Sequence, residues 1–219
     1  MMKKIITADN TESYFNEQVG ECYHSYKGAV EEAWKKYVVP CKIAEIACSG
    51  ELKILDICFG LGYNSAAAID AALQENPRCS IEVVGLENDP GILEKIQEVK
   101  PPLQSYRHYK KLSPAHLDVK EGNIHLKVLL GDGREQIKTL PESSFDAIFL
   151  DPFSPQTSPE MWQEPFFREM WRVMKPKAIV ATYSCARMVR ENMSKAGLFY
   201  DDGPIWGRRG PGTIATKWI

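Results

Sequence analysis

The chain has 219 residues, 44% hydrophobic and 26% charged, with 27 Lys and Arg against 29 Asp and Glu. That composition excludes a disordered chain, a collagen-like repeat and a coiled coil, and no apolar run reaches the ~18 residues a membrane helix needs. The net charge of −2 excludes a uniformly basic nucleic-acid-binding surface, although residues 150–219 carry ten Lys and Arg against seven Asp and Glu. The start, Met1-Met2-Lys3-Lys4, reaches Asp9 before any apolar core forms, so it is no signal peptide. The expectation is a soluble, cytoplasmic chain with no membrane contact, forming one domain: an N-terminal extension over 1–50 and a core over 51–219. Cysteines 22, 41, 48, 58, 79 and 185 show no Cys-x-x-Cys and no zinc-ligand spacing, so they read as reduced, mostly buried thiols rather than disulfides or metal ligands.

In chain order, KGAVEEAWKKY (27–37) puts Ala29, Val30, Ala33, Trp34 and Tyr37 on one stripe, predicting an amphipathic helix. LKILDICF (52–59) is an apolar strand ending at Gly60-Leu61-Gly62, followed by an alanine-rich helix from Asn64 to Leu73. IEVVGLE (81–87) is a second strand, and Pro90 opens a helix over 90–99. Residues 101–116 read as irregular, with a basic cluster at Arg107, His108, Lys110 and Lys111. Alternation around Glu121-Gly122-Asn123 predicts a hairpin whose second arm, 124–130, runs into Gly131-Asp132. FDAIFL (145–150) ends at Asp151-Pro152. Phe166, Phe167, Met170, Trp171, Val173 and Met174 recur at helical spacing, as expected of a core helix. IVATYS (179–184), a helix to about Ala196, and strands near 198–206 and 213–218 complete the chain.

Repeated strand–helix alternation argues for a parallel sheet covered by helices on both faces. The last two strands are joined by a link too short for a right-handed crossover, so they pair antiparallel. An α/β, Rossmann-like parallel sheet with a terminal antiparallel hairpin is the layout of class I S-adenosylmethionine-dependent methyltransferases.

Ligands of such sheets sit beyond the carboxyl ends of the strands, where this sequence concentrates its chemistry. Phe59, Gly60 and Gly62 form a turn whose glycines permit close backbone approach, ahead of a helix N-terminus bearing Asn64. Glu87, 25 residues after Gly62, stands where an acid accepts from ribose hydroxyls. After Gly131, Asp132 stands where a carboxylate takes an adenine amino group. Each acid alone also suits a helix cap. Ser65 stands where a third small residue belongs, so the glycine turn by itself leaves a dinucleotide open. Asp151-Pro152-Phe153-Ser154-Pro155 is similar to the Asp/Asn-Pro-Pro-aromatic element of amine-directed methyltransferases, with Phe153 in the second proline's place.

Four stretches sharpen this: DICFGLGYNS (56–65), FLDPFSPQTSPEMW (149–162), ATYSCARMVRENMSKAGL (181–198) and GRRGPGTIA (207–215). Together they resemble the methyltransferase domain of the MnmC family, and GECYHSYKGAVEEAWKKYV (20–38) resembles the start of its stand-alone, MnmD-type members. The resemblance implies methyl transfer from S-adenosylmethionine to the amine of 5-aminomethyl(-2-thio)uridine at the tRNA wobble position. It implies S-adenosylmethionine held by Phe59, Gly60, Gly62, Asn64, Glu87, Gly131 and Asp132, with neither FAD nor metal, and Asp151 in the catalytic position. Tyr23, His24, Ser25, Phe153, Arg208 and Arg209 are candidate substrate contacts, and tRNA phosphates are also offered Arg107, Lys110 and Lys111. His108, His116 and His125 read as surface or structural. The sequence departs from the family at Cys58, in place of a first glycine, and at Pro152, where two-domain members have glycine. The FAD-dependent oxidase domain of bifunctional members is missing from the 219 residues, so a separate enzyme is expected to supply the aminomethyl group. Three alternatives are a methyltransferase acting on a small-molecule or protein amine, an aminopropyltransferase, and a non-catalytic RNA-binding relic.

Overall fold

A computed structural model describes residues 2–217. The expected strand at 213–218 thus extends by one residue outside the described residues.

The strands of the main sheet follow the expected pattern: β4 (Glu51–Ile57), β5 (Ser80–Glu87), β6 (Asp118–Glu121) and β7 (Ile124–Leu130) as the two arms of the expected hairpin, β8 (Phe145–Leu150), β9 (Met174–Thr182), β10 (Leu198–Asp202) and β11 (Thr213–Lys217). Their order is β10-β11-β9-β8-β4-β5-β7-β6. The five strands from β7 to β9 are mutually parallel, whereas β11 runs antiparallel to β9 and to β10. This is the class I methyltransferase topology with its terminal antiparallel hairpin. Central strands are apolar on both sides because both faces are covered. On β4, Leu52 and Ile54 enter one core cluster while Leu55 and Ile57 enter the other. Helices α3 (Tyr63–Glu75), α4 (Pro90–Lys95), α5 (Tyr106–Tyr109), α6 (Gly133–Gln136), α7 (Glu164–Val173) and α8 (Arg187–Lys195) lie between the strands. The aromatic helix behaves as core: Phe166, Phe167 and Met170 are buried, while Trp171 is 38% exposed.

Several local expectations are corrected. Residues 101–116 contain α5, where Tyr106 and Tyr109 are buried and stack with ring centroids 5.3 Å apart. The basic cluster is consumed locally. Lys110 donates to the carbonyls of Ile96, Gln97 and Val99, His108 is buried against Glu121, and Lys111 pairs with Glu121. Only Arg107 of that cluster projects as an exposed side chain without such a bond, so the group offers no concerted phosphate-binding face. The fifth parallel strand begins at Met174 rather than Ile179, and the strand expected over 198–206 stops at Asp202. The thiols are free, but only Cys41 and Cys79 are buried; Cys48 and Cys185 are exposed.

The N-terminal region differs most. It holds an antiparallel meander, β1 (Met2–Ile6), β2 (Glu12–Asn16) and β3 (Glu21–Cys22), then α1 (Ala29–Ala33), a π-helical turn over Trp34–Val38, and α2 (Ile43–Ala47). The single expected helix over 27–37 is therefore split, because Val39 N–H bonds the Trp34 carbonyl at 3.1 Å, an i→i−5 step. Asp9 pins the start of α1. Its Oδ2 accepts from the Val30 and Glu31 amides and its Oδ1 from Thr7 and Thr11. Gly28 is required here, since φ is +147° and a Cβ would lie 2.8 Å from Asp9 Oδ2. Burial works against the Asp9 anion, but those four donors prevail and hold its pKa near 2.

Asp9→Ala is expected to cost about 1 kcal/mol, as for a lost helix cap, lowering Tm by roughly 2–4 °C. Because the folded pKa is depressed, the wild-type advantage is present above pH 4 and vanishes as pH falls towards 2. Thermal unfolding of both proteins across pH 2–7 checks this; parallel curves would contradict it.

Candidate active site

The parallel register brings four strand ends level. Ile57 of β4 pairs with Leu86 of β5 and Leu150 of β8, and Glu87 pairs with Leu130 of β7. The next residues of each strand, Cys58–Gly60, Glu87–Asp89, Gly131–Asp132 and Asp151–Phe153, therefore share one edge, at the point where the chain switches direction across the sheet. They line a cavity of about 980 Å³ whose walls also include residues of the N-terminal meander and, from the C-terminal loop, Gly207 and Arg208. Of the sequence-predicted residues, Phe59, Gly60, Asn64, Glu87, Gly131, Asp132, Asp151, Tyr23, His24, Ser25, Phe153 and Arg208 all line it. Gly62 and Arg209 do not. Gly62 lies behind the wall as the cap of α3, with φ +74° and Tyr109 2.5 Å from where a Cβ would stand. Arg209 is exposed on the loop.

Asp151 follows β8, its amide donating to the Ile57 carbonyl at 3.2 Å. Oδ1 accepts from the Tyr37 hydroxyl at 2.6 Å and Oδ2 from Asn64 Nδ2 at 2.9 Å. Asn64 thus serves the catalytic candidate directly. Burial first, then the nearby Glu32 carboxylate, push the Asp151 pKa up to about 6 against the pull of the two hydrogen bonds. Phe153 stands edge-on to Tyr23 with centroids 5.2 Å apart. Pro152 is buried, and its carbonyl accepts from Tyr183.

Glu87 is 6% exposed and accepts from the amides of Gly60, Asn88 and Asp89 at 2.8–2.9 Å. It braces the glycine turn as well as facing the cavity; burial raises its pKa while those amides lower it. Asp132 caps α6 and is gripped by Arg134, at 2.5 Å from Nη2, which holds its pKa below the usual range. Cys58, in the glycine's place, adopts φ +62°, a region costing a non-glycine residue about 1 kcal/mol. The departure is therefore absorbed as local strain.

His24 is buried, shares a 2.8 Å bond with Ser13 and stacks on Tyr63; burial lowers its pKa to about 4, so the ring is neutral at pH 7. Tyr23 donates to Asp89 at 3.0 Å, and the Ser25 amide donates to Glu32 at 2.9 Å. Arg208 lies over the Tyr183 ring, 4.3 Å from its centroid. His116 is exposed with only its backbone paired to Ser113, and His125 bonds Asp118, so neither lines the cavity. Among the described residues no group of three or more His, Cys, Asp or Glu could hold a metal, and no helix is long and apolar enough to cross a membrane.

The sequence reading missed Tyr37 as a site residue, together with Glu32, Lys36 and Glu21. Glu21 of β3 accepts from the Ser154 amide at 3.0 Å, from its hydroxyl at 2.5 Å and from Thr157 Oγ1, clamping the loop that carries Phe153. Its acidity is enhanced by these donors in spite of burial. Only the 20–38 stretch, singled out by its resemblance, hinted that this region serves the site.

Residues 94–218 match a family of S-adenosyl-L-methionine-dependent methyltransferases. A crystal structure of MNMC2 from Aquifex aeolicus superposes with a TM-score of 0.87 at 30% identity, covering 99% of this chain and 70% of that one. The chain belongs to the MnmC methyltransferase-domain family. The tRNA 5-methylaminomethyl-2-thiouridine biosynthesis bifunctional protein MnmC of Aromatoleum aromaticum is 30% identical over 84% of this chain and 31% of its own length. An uncharacterized protein of Methanocaldococcus jannaschii is 26% identical over 96% of this chain and 58% of its own. The chain thus spans between about a third and three-fifths of these two curated relatives.

The Glu21 clamp is expected to hold the loop that carries Phe153 rigid. In Glu21→Ala, amide exchange at Ser154 and Thr157 should accelerate by at least tenfold, the loss of one charge-assisted bond, while the β4 amides stay protected. Unchanged exchange at Ser154 would remove Glu21 from that role.

Proposed function

We propose that this chain transfers a methyl group from S-adenosylmethionine to the amine of 5-aminomethyl(-2-thio)uridine at the tRNA wobble position. The observation that carries the reading is Asp151, doubly hydrogen-bonded in an acid-lined cavity beside Phe153.

The residues present suit the cofactor. Both oxygens of Asp56, at the end of β4, are buried without a hydrogen-bond partner, and burial raises this carboxyl to about 7. Glu87, Asp89, Asp132 and Asp151 line the cavity above it. A cationic sulfonium ligand with hydroxyl and amino donors matches that surplus of acceptors. In this reading Gly60 and Gly131 provide backbone contact, Glu87 accepts from ribose hydroxyls, and Asp132 turns part of its acceptor capacity from Arg134 to the adenine amino group. Phe59, backed by Gly85 and Tyr109, supplies an apolar wall. S-Adenosylmethionine, when bound, supplies an electrophilic methyl group.

The chain's own residues then handle the amine. An aliphatic ammonium has no lone pair, so one proton must leave before nitrogen attacks carbon. Asp151 retains an unused lone pair on each oxygen, sufficient to orient the amine and take that proton. Phe153, Tyr23 and Tyr183 exclude water and favour the neutral nucleophile. The cavity's carboxylates welcome an aminomethyl cation and repel the carboxylate of the carboxymethylaminomethyl precursor. A separate enzyme delivering the aminomethyl group, and tRNA contacts through Arg208 and Arg209, complete the proposal.

The test is incubation with methyl-labelled S-adenosylmethionine and tRNA in each modification state, followed by nucleoside mass analysis. The expected product is 5-methylaminomethyl(-2-thio)uridine from aminomethyl tRNA and none from the carboxymethylaminomethyl form. Asp151→Ala is expected to lower turnover by roughly 10²–10⁴ with cofactor affinity within a fewfold. Near-wild-type turnover in Asp151→Ala, or labelling of protein or small amines but never tRNA, would overturn the proposal.

A further inference from the structure

The cavity wall facing Asp151 is built by the N-terminal segment, and three of its side chains converge there. Tyr37 is fully buried and donates to Asp151 Oδ1 at 2.6 Å. Lys36 is 3% exposed and Glu32 7% exposed; they form an ion pair at 2.9 Å. The other Glu32 oxygen accepts from the Ser25 amide, and Lys36 lies 5.9 Å from the Tyr183 ring centroid and 5.8 Å from that of Trp206. A buried ion pair is seldom retained for stability alone, since desolvating two charges offsets their attraction. Here it adjoins the site, and Glu32 itself lines the cavity. The backbone is special at the same place: Lys36 and Tyr37 sit in the π-helical turn Trp34–Val38, a local irregularity that recurs at functional sites. With the extra residue in that turn, Glu32, Ala33, Lys36, Tyr37 and Val38 all face inward.

We propose that Tyr37 and the Glu32–Lys36 pair are positioning residues for methyl transfer: Tyr37 aims the Asp151 carboxylate, and Lys36 neutralises Glu32 so that Asp151 faces the amine without an unpaired anion at its side. This rests on the reading of Asp151 as the group that accepts from the substrate amine. Tyr37 grips one oxygen from the N-terminal segment and Asn64 the other from α3, so the carboxylate plane cannot rotate away from its acceptor direction. Removing Lys36 leaves Glu32 as an unpaired anion beside Asp151, which disfavours the Asp151 anion; removing both charges restores the balance. The groups facing Asp151 are Glu32, Lys36 and Tyr37 from the N-terminal segment, Asn64 from α3, Asp56 and Cys58 from the end of β4, and Tyr183 after β9, over which Arg208 lies. Among them only Glu32 and Lys36 form an ion pair with each other, so their charges are removable as a pair.

The experiment is kcat against pH for the wild type, Tyr37→Phe, Lys36→Met and the double variant Glu32→Gln/Lys36→Met, with cofactor affinity by calorimetry and fold by circular dichroism. Tyr37→Phe keeps the buried ring and loses only the hydroxyl. Its kcat is expected to fall roughly tenfold or more, with cofactor Kd within twofold. The acidic limb of its profile should move to higher pH, because the lost bond had favoured the carboxylate. Lys36→Met should move the limb the same way, and the double variant should return it towards the wild type. A purely structural role would lower the yield of folded protein in all three and leave the limb in place. An unshifted limb and unchanged kcat in folded Tyr37→Phe would overturn the inference while leaving the assignment of Asp151 intact, whereas an inactive wild type would indict that assignment instead. Should Lys36→Met not fold, the Tyr37→Phe profile decides.

Discussion

The architecture turns on one half-buried carboxylate and the donors that hold it. Asp151 takes a hydroxyl from Tyr37 and an amide from Asn64, two residues lying 114 and 87 positions earlier in the chain. A carboxylate withdrawn from water costs several kcal/mol unless such donors meet it. The N-terminal segment therefore is more than a wrapping on the sheet. Without α1 and its π-helical turn, Asp151 would lose half of its support, and without Asp9 and Gly28 the start of α1 would have no anchor.

A second layer of the same logic runs round the cavity. Glu87 braces the Gly60 turn, Asp132 grips Arg134, Glu21 clamps the Ser154 loop and Asp89 holds both Tyr23 and the start of α4. Each acid is tied to donors, which keeps the walls in place, yet the lining remains rich in acceptors. Asp56 is the exception, its two oxygens buried without a partner. The carboxylates that line the cavity itself, Glu87, Asp89, Asp132 and Asp151, are the ones that suit a cation. That is the electrostatic character a sulfonium cofactor and an amine substrate share.

The parallel core was legible because its strands are apolar on both faces and end in chemically distinctive residues; FDAIFL before Asp151 coincides with β8. Once a parallel sheet is inferred, its strand ends must share an edge, so Gly60, Glu87, Asp132 and Asp151 could be grouped without any contact information. The N-terminal meander was not legible. MKKII and ESYFN are short, partly exposed strands whose pattern makes sense only against each other. The grip of Tyr37 on Asp151 was equally hidden, because Tyr37 reads as one more apolar position on a helical stripe, and the π-helical step that turns Lys36 inward leaves no periodic trace. The basic cluster at 107–111 misled for a related reason: Lys110 serves three backbone carbonyls, a local bond that composition cannot distinguish from a free surface charge.

The central claim is that the substrate amine meets Asp151 at the carboxyl edge of the sheet. A crystal structure of the chain with S-adenosylhomocysteine and a 5-aminomethyluridine-containing anticodon stem-loop measures it directly. The account places the amine nitrogen about 2.7–3.2 Å from an Asp151 carboxylate oxygen, with the Tyr37 and Asn64 bonds intact. An amine bonded elsewhere in the cavity, with Asp151 facing only protein, would contradict it.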